Sequence, residues 1–442
     1  MGSLKKYSFY KTTEESWFQE IPKHWSVYRI KHVFGIIKRI VGELGHDVLS
    51  ITQKGIKVKD TISGAGQLSM DYSKYQQVDI GDFAMNHMDL LTGYVDISKY
   101  DGVVSPDYRV FKLTHTESDS QYLLYMLQLC YTNRIFFKHG KGVSMLGRWR
   151  LPAENFKNFL IPIPPKDEQT KIADFLDYKL AKIDRFILKK KQLLGLYVQR
   201  RKSLTRKIIN SDSVKLLRLS TITNPIDRQI DRLDDEFYTP VGLYNRSRGI
   251  FHKDETLGED LGDSSFYYIK EGDVIISGQF AWEGAVALVS SNDENCVASH
   301  RYPILNCNLE IVKPEFLFSF FTIPEGHFLL DINSRGSAGR NRPLNPRYLL
   351  KEKIPVPSTD LQEEIVEMYK SEMQLKSIID KEIAIVKEYK TALIAEVVTG
   401  KIDVRDFEVP ETQNEETYEE LEEELSLAAE EEAEYQNEEI EE

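Results

Sequence analysis

Two stretches of the chain carry closely spaced basic side chains and no acidic ones. We call residues 120–153 the first basic window and residues 332–351 the second. The basic residues of the first window are Arg134, Lys138, Lys141, Arg148 and Arg150, with Phe136, Phe137 and Trp149 between them. Those of the second window are Arg335, Arg340, Arg342, Arg347 and Lys351, accompanied by Gly336, Gly339, Asn341 and Asn345.

Residues of these types suit contact with a phosphate backbone. Lys and Arg neutralise phosphates, and small neighbours let main-chain N–H groups approach the same oxygens. Arg and Asn can also pair bidentately with guanine and adenine edges in the major groove. The predicted set of DNA-binding residues consists of Arg109 and Arg301, which lie in two related segments, together with Asn341 and the basic residues of the windows other than Lys351. The alternative is a solvated basic surface without a ligand.

The sequence lacks the motifs of familiar catalytic sites. It contains no G-x-x-x-x-G-K-[ST], H-E-x-x-H or G-x-S-x-G segment. The three cysteines, Cys130, Cys296 and Cys307, are too few and too scattered for a zinc site, and the nine histidines have no ligand spacing. We therefore expect a binding protein with no catalytic residue, no metal and no cofactor of its own.

The basic windows belong to a longer repeat. Residues 161–169 read I-P-I-P-P-K-D-E-Q, and residues 354–362, which lie 193 positions later, read I-P-V-P-S-T-D-L-Q. The same offset makes the two windows overlap. Upstream, residues 105–111 (S-P-D-Y-R-V-F) correspond to residues 299–305 (S-H-R-Y-P-I-L). The sequence therefore predicts a tandem duplication.

Each I-P-x-P segment precedes a long stretch with helical periodicity. Apolar residues recur at steps of three, four or seven through residues 166–210 and again up to Gly400. At about 1.5 Å per residue, 40 to 45 residues make a helix of roughly 60 to 68 Å. We expect the two helices to pair as an antiparallel coiled coil with a globular segment at either end. The alternative is that each helix packs on its own domain.

The fold class predicted is α+β, with two mixed globular domains separated by two long antiparallel helices. Short apolar or alternating runs broken by Gly, Asp and Asn indicate modest strands in both globular segments. The expected boundaries, in chain order, are 1–160, 161–212 (first helix), 213–353, 354–402 (second helix) and 403–442 (tail).

Charge is distributed unevenly along the 442 residues. Residues 411–442 contain 16 Glu and no Lys or Arg, so the remaining 410 residues carry a net charge of +3, although the whole chain carries −13. We expect this tail to be disordered or weakly helical, and to be solubilising, DNA-mimicking or partner-binding. No apolar run approaches the roughly 18 residues of a membrane helix, and no signal-peptide pattern follows Met1. The expected location is the cytoplasm.

Several segments resemble a known family when taken in order. They are residues 21–25 (I-P-K-H-W), 85–94 (M-N-H-M-D-L-L-T-G-Y) and 105–109 (S-P-D-Y-R), and the two I-P-x-P segments that end in D-x-Q. Together they resemble the specificity subunit of type I restriction-modification systems over nearly all of the first 410 residues. The acidic tail is not part of that pattern.

The resemblance implies two target recognition domains, each reading one half of a split DNA sequence, and two conserved helices that space them. It implies two modification subunits that carry S-adenosylmethionine and methylate adenine, and restriction subunits that use ATP and Mg²⁺. The chain itself would not be catalytic. The competing hypothesis is a coiled-coil scaffold that clamps two protein partners without DNA, which leaves the paired basic windows unexplained.

Overall fold

The structure is a computed structural model, and it falls into two compact units. The residues that it describes are 5–59, 71–142, 149–224, 226, 228–336 and 341–410. Among them, the first unit comprises residues 5–188 and 382–410, and the second comprises residues 189–381. Each of the two long helices contributes one part to each unit. The compact units therefore do not end where the predicted boundaries lie.

Short strands and helices alternate in both units. The helices are α1 (Ser120–Thr132), α2 (Ala153–Asn158), α3 (Lys166–Ile209), α4 (Leu219–Ile222), α5 (Pro314–Phe321), α6 (Pro324–Ile332), α7 (Pro346–Leu349) and α8 (Thr359–Val398). Short 3-10 turns occur at Ile30–His32, Phe136–His139, Asn245–Ser247, Gly258–Asp260, Ala281–Glu283 and Ser291–Asp293. No helix within the described ranges is both long and apolar enough to cross a membrane.

Within the described ranges, twelve strands belong to each unit. Those of the first are β1 (Tyr10–Thr12), β2 (Glu20–Pro22), β3 (Ser26–Arg29), β4 (Phe34–Ile37), β5 (Leu49–Thr52), β6 (Gly55–Val58), β7 (Gln76–Val78), β8 (Phe83–Met85), β9 (Val95–Ile97), β10 (Gly102–Val104), β11 (Arg109–Leu113) and β12 (Leu160–Ile163). Those of the second are β13 (Lys215–Arg218), β14 (Thr223–Asn224), β15 (Phe237–Tyr238), β16 (Val241–Tyr244), β17 (Gly249–His252), β18 (Thr256–Leu257), β19 (Phe266–Tyr268), β20 (Asp273–Ile276), β21 (Val286–Leu288), β22 (Val297–Ser299), β23 (Ile304–Cys307) and β24 (Lys353–Val356). The predicted mixture of helix and strand in both globular segments is confirmed.

The two units share one sheet topology. The first contains a four-stranded antiparallel sheet in the order β4-β11-β8-β9, and the second a sheet in the order β14-β23-β20-β21. The central strands are apolar and buried, as in Phe83 and Phe111 of the first sheet and Val274 and Ile276 of the second. The same strand order at corresponding positions supports the tandem duplication.

A glycine-aspartate pair lies at the start of one central strand in each sheet, β8 in the first and β20 in the second. The pairs are residues 81–82 and 272–273, and each glycine has a positive φ, +90° and +86°. The first aspartate accepts a charged hydrogen bond from Arg39, and the second accepts one from Arg228. Because a left-handed backbone favours glycine, this turn explains why the pair occurs in both copies.

The I-P-x-P segments are strands, and the long helices begin after them. Ile161 in β12 pairs with Tyr28 in β3, and Ile354 in β24 pairs with Leu217 in β13. The predicted helical segments 161–212 and 354–402 therefore start too early. Proline lacks an N–H group and disfavours helical backbone at the residue before it, so the repeated prolines delay both helices.

A fully buried glutamine joins the start of α3 to the start of α1. The side-chain Oε1 of Gln169 accepts a hydrogen bond from the backbone N–H of Asp119 at 2.8 Å. Its Nε2 donates to the carbonyl oxygens of Glu117 at 3.1 Å and Pro164 at 2.8 Å. Asp119 in turn caps α1 by accepting a hydrogen bond from the Tyr122 N–H.

The second unit repeats this arrangement. The Oε1 of Gln362, also fully buried, accepts from the backbone N–H of Lys313 at 2.7 Å. Its Nε2 donates to the carbonyl oxygens of Ile311 and Pro357, each at 2.9 Å. Lys313 is the residue before α5. The glutamine that both repeats share at this position thus has one structural role, since its side chain joins two helix starts.

A buried carboxylate anchors residues 21–25 in the first unit. Glu168, in the first turn of α3, is 5% exposed and accepts hydrogen bonds from Tyr7 Oη at 2.6 Å and Trp25 Nε1 at 2.8 Å. His24 Nε2 lies 2.7 Å from its other oxygen. Burial and the Glu168 hydrogen bond raise the pKa of Tyr7. The I-P-K-H-W segment is therefore attached to the first turn of α3 through the Glu168 carboxylate.

In the first unit, α3 and α8 run antiparallel. Asp184 in α3 forms an ion pair with Lys390 in α8, with 2.7 Å between oxygen and nitrogen. Earlier in α3, Ile172 belongs to the same core cluster as Val397, which lies later in α8. From Ile172 to Asp184 the residue numbers in α3 rise, while those of their neighbours in α8 fall from 397 to 390. This opposite order shows that the two helices are antiparallel.

The second unit contains the other antiparallel part of the helix pair. Arg201 in α3 contacts Glu372 in α8, and Ile208 shares a core cluster with Ile365. The helices accordingly pair within each unit, and in each unit parts of both helices also pack on the globular segment of that unit.

Candidate nucleic-acid interface

The first basic window contains a hairpin that sets two cations side by side. Lys141 donates its backbone N–H to the carbonyl of Arg150 at 2.8 Å, and Arg150 donates back to Lys141 at 3.1 Å. Both residues are exposed. Directly opposed residues of an antiparallel pair have neighbouring side chains, so Lys141 and Arg150 present two adjacent positive charges. Arg148 lies outside the described residues.

Two main-chain hydrogen bonds fasten this hairpin to the loop that follows β8. Leu151 donates its N–H to the carbonyl of His87, and Leu90 donates to the carbonyl of Trp149, both at 2.9 Å. The Trp149 ring packs against Phe137 with 4.5 Å between centroids. The aromatic residues of this window therefore support the hairpin.

His87 is a neutral group within this loop. Burial, together with the positive charges of Arg109 and Arg150, lowers the pKa of His87 to about 4. The imidazole therefore carries no charge at pH 7, and the local positive charge comes from the arginine and lysine side chains.

Arg109 requires a correction, because it is not a surface residue. It is 5% exposed, and its Nη2 donates to the carbonyl of Leu151 at 3.0 Å. Its guanidinium lies 4.7 Å above the Phe156 ring, and burial lowers the pKa of Arg109 to about 10. Arg109 supports the hairpin from inside and cannot reach a phosphate in this structure.

Arg134 and Lys138 remain candidates for contact with DNA. Both are exposed and lie between the end of α1 and the hairpin. Arg134 has a φ of +53°, in the left-handed region, where the chain turns after α1. The structure thus leaves four exposed basic candidates in the described part of the first window.

The second basic window is anchored in the same way as the first. Leu344 donates its N–H to the carbonyl of Gly278 at 2.7 Å, as Leu151 does to His87. Leu151 and Leu344 are 193 positions apart, and Gly278 follows β20 as His87 follows β8. The predicted correspondence between the windows therefore has a structural counterpart.

Arg301 is exposed and contacts this anchor through its backbone. Gly278 donates its N–H to the Arg301 carbonyl at 2.7 Å. A Cβ atom on Gly278 would lie 2.3 Å from that oxygen, so no larger residue fits without a backbone shift. The side chain of Arg301 thus starts beside the second window.

A surface cavity of about 470 Å³ lies next to this anchor in the second unit. Its lining residues are Asn333, Arg335, Pro343, Leu344, Asn345, Pro346, Arg347 and Tyr348. Arg335 and Arg347 are both exposed, and Arg335 is oriented by a 3.0 Å hydrogen bond from its Nε to the Ile332 carbonyl. Two cations at one open cavity form a site suited to an anion such as a backbone phosphate.

Arg342 is less available than predicted. Its Nη2 donates to the Asp331 carboxylate at 2.7 Å, and its guanidinium lies 5.1 Å from the centre of the Trp282 ring. This pairing offsets much of its charge. Asn341 is exposed, whereas Arg340 lies outside the described residues.

One element of the second candidate interface was missed in the sequence. The β16–β17 hairpin carries the exposed Arg246 at its tip, and Ser247 donates its N–H to the Gly284 carbonyl at 2.8 Å. The tip therefore adjoins the turn that contains Trp282, beside Arg342. In the first unit, the turn between β5 and β6 likewise carries a basic residue, Lys54. A single basic residue in a turn gives little signal, and only the pairing of the strands identifies it.

No group of three or more His, Cys, Asp or Glu side chains is arranged to hold a metal ion among the residues that the structure describes. All three cysteines are buried and unpaired by disulfides.

Comparison with known proteins agrees with the arrangement of two related units. Residues 22–194 and 223–387 match the family described as "Type I restriction modification DNA specificity domain". A relative from Methanocaldococcus jannaschii is 23% identical over 428 residues, covering 87% of this chain and 95% of the relative. It is named as the type I restriction enzyme MjaX specificity subunit, an assignment that its name marks as provisional.

Solved structures with a similar course of the chain were found as well. One comes from work on complex assembly and conformational transition of the type I R-M system, with 13% identity, a TM-score of 0.48, and coverage of 86% of this chain and 99% of that chain. The HsdS subunit from Thermoanaerobacter tengcongensis is 14% identical, with a TM-score of 0.40 and coverage of 86% and 98%. Because the two family matches together cover well over half of its residues, the chain belongs to the family of type I restriction modification DNA specificity domains.

Proposed function

We propose that this chain selects the DNA target of a type I restriction-modification complex and that each of its two units binds one half of a split sequence. The observation that carries this proposal is the repeated anchoring of a basic window. Leu151 in the first unit and Leu344 in the second attach the two windows to equivalent loops. As a member of a specificity family, the chain recognises DNA and is not itself the catalyst.

Exposed cations would supply the affinity for DNA. Lys141 and Arg150 are adjacent in the hairpin of the first window, and Arg335 and Arg347 line the same cavity in the second window. Each neutralised phosphate releases counterions, so binding should weaken steeply as salt increases. Phosphate contacts orient the protein, whereas base contacts select the sequence. The divergent residues of the two windows would therefore give the two half-sites different sequences.

The long helices would act as the spacer between the two half-site readers. With 44 residues in α3 and 40 in α8, their lengths are about 66 Å and 60 Å. The partners proposed are two modification subunits, which would bind S-adenosylmethionine and methylate adenine, and restriction subunits, which would use ATP and Mg²⁺. The cofactors would be held by those subunits.

The test compares two double variants on DNA with one half-site scrambled at a time. Lys141→Ala with Arg150→Ala changes the first unit, and Arg335→Ala with Arg347→Ala changes the second. Lys370→Ala with Lys376→Ala is a matched control, because both lysines are exposed on α8. The proteins are assayed as complexes with their modification subunits, over a series of salt concentrations.

Each interface variant should reduce the salt slope by about 2, since about two phosphate contacts are lost. Because phosphate contacts also orient the base-reading residues of the same unit, scrambling the half-site read by the altered unit should then cost less affinity than in the wild type, while scrambling the other half should cost the same. Equal effects of both variants on both half-sites would contradict the modular assignment. Binding that depends on neither sequence nor salt would favour the scaffold hypothesis.

A further inference from the structure

We propose that the buried Arg201–Glu372 pair selects the register of α3 against α8 in the second unit and thereby determines which gap between the half-sites the complex accepts. This inference rests on the proposed function, because it concerns the spacer of the split target. It assigns to two named residues a role in gap selection.

The pair is almost completely shielded from water. Arg201 is 2% exposed and Glu372 is 3% exposed. The Nε of Arg201 donates to one carboxylate oxygen at 2.7 Å, and Nη2 donates to the other at 3.4 Å. This two-point geometry restricts both the distance and the orientation of the two helices, because a planar guanidinium must meet a planar carboxylate.

The remaining contacts of Arg201 join the recognition domain to the helix pair. Its Nη1 donates to Ser319 Oγ at 2.9 Å and to Thr322 Oγ1 at 3.3 Å, at the end of α5. The guanidinium also lies 5.2 Å from the Phe318 ring centre and 5.8 Å from that of Tyr369. One side chain therefore fixes α3, α8 and α5 together.

A buried ion pair contributes little net stability, because removing two charges from water costs about as much as their attraction returns. Its best-attested use is to make alternative registers unfavourable. One helical turn away from Glu372, α8 offers Met368 in one direction and Lys376 in the other. A slipped register would thus leave the buried arginine unpaired or place it beside a second cation.

The first unit has no equivalent of this pair at the corresponding positions. The repeat offset of 193 places Lys179 opposite Glu372 and Ile394 opposite Arg201. An ion pair that joins α3 to α8 in that unit, Asp184–Lys390, is more exposed, with 28% of the Asp184 side chain and 31% of the Lys390 side chain accessible to solvent. Solvent weakens the penalty for breaking a pair of that kind, so Asp184–Lys390 selects the register less strongly than Arg201–Glu372 does.

The experiment replaces both charges with apolar residues of similar size, Arg201→Met with Glu372→Leu. The matched control is Asp184→Leu with Lys390→Met, which removes the exposed pair. Each chain is assembled with its modification subunits, and adenine methylation is measured on a library in which the gap between the two half-sites varies by single base pairs. Thermal unfolding of each complex is followed in parallel.

A slip of one turn moves one helix by about 5.4 Å along the other, which corresponds to one or two base pairs at about 3.4 Å each. The Arg201/Glu372 variant should fold with an unfolding midpoint equal to or above that of the wild type. Its preference for the wild-type gap over gaps one or two base pairs away should fall by at least about tenfold, since alternative registers become accessible. The control should keep its gap preference.

An unchanged gap preference in the folded variant would overturn the inference. Failure of the variant to fold would overturn it as well, because the pair would then be needed for stability. Glu372→Gln provides a second measurement: it keeps an acceptor for Arg201, so it should keep the gap while lowering the unfolding midpoint, and a broadened gap would count against selection by geometry. Wild-type methylation without any preferred gap would instead refute the proposed function.

Discussion

The buried glutamines of the repeat offer a test of the structural argument at two equivalent places. Gln169→Met removes an acceptor and two donors from a fully buried side chain while keeping its approximate size. The perturbation leaves the N–H of Asp119 and the carbonyls of Glu117 and Pro164 without their partner. Gln362→Met does the same at Lys313, Ile311 and Pro357.

The size of the effect follows from the burial of each orphaned group. The Pro164 carbonyl lies in a buried hydrogen bond, so its loss should cost about 1–3 kcal/mol. The other two groups are only partly buried, so water can replace the glutamine and each should cost about 1 kcal/mol. Gln169→Met should therefore destabilise the junction of α1 and α3 by about 3–5 kcal/mol.

Amide hydrogen exchange measures this locally, without assuming that two units unfold together. In Gln169→Met, the amides at the start of α1 should exchange at least about 100-fold faster, while those at the start of α5 keep their wild-type rates. Gln362→Met should show the reverse pattern. The matched controls are Gln192→Met and Gln374→Met, exposed positions of α3 and α8, where changes should stay within about 0.5 kcal/mol. Unchanged exchange at Asp119, or equal acceleration at both helix starts, would refute the reasoning.

Two further predictions concern buried titratable groups of the first unit. His87 should titrate with a midpoint near pH 4 by NMR. Because its pKa in the folded chain lies below 6.5, the contribution of His87 to stability is present above pH 6.5 and is lost as the pH falls towards 4. A midpoint near 6.5 would show that the ring is solvated. Glu168→Ala should leave Tyr7, Trp25 and His24 without their common acceptor, so hydrogen exchange of residues 21–25 should accelerate by at least about tenfold; wild-type protection there would contradict the anchoring role.

The resemblance to a specificity family could be read from the order of short segments, and the family match confirms it. Local pattern was sufficient for three features: the duplication, the long helices, and the two windows that lack acidic residues. Charge counts and apolar spacing are properties of neighbouring residues, so they can be read without the fold.

The roles of individual basic residues could not be read in the same way. Arg109 and Arg342 look alike in the sequence, yet the first is buried beneath a hairpin and the second is paired with Asp331. The partner of Arg109 lies 42 residues away. Burial and pairing depend on such distant contacts, and therefore no count of local charge distinguishes a phosphate-binding arginine from a structural one.

The sequence alone determined that two similar halves are joined by long helices and that each half offers a basic segment. Tertiary structure decided which cations stay exposed, that the I-P-x-P segments pair as strands, and that Arg201 meets Glu372 across 171 residues. The physical reason is that periodicity and composition act over a few residues, whereas desolvation and hydrogen-bond geometry are settled only when distant segments come into contact.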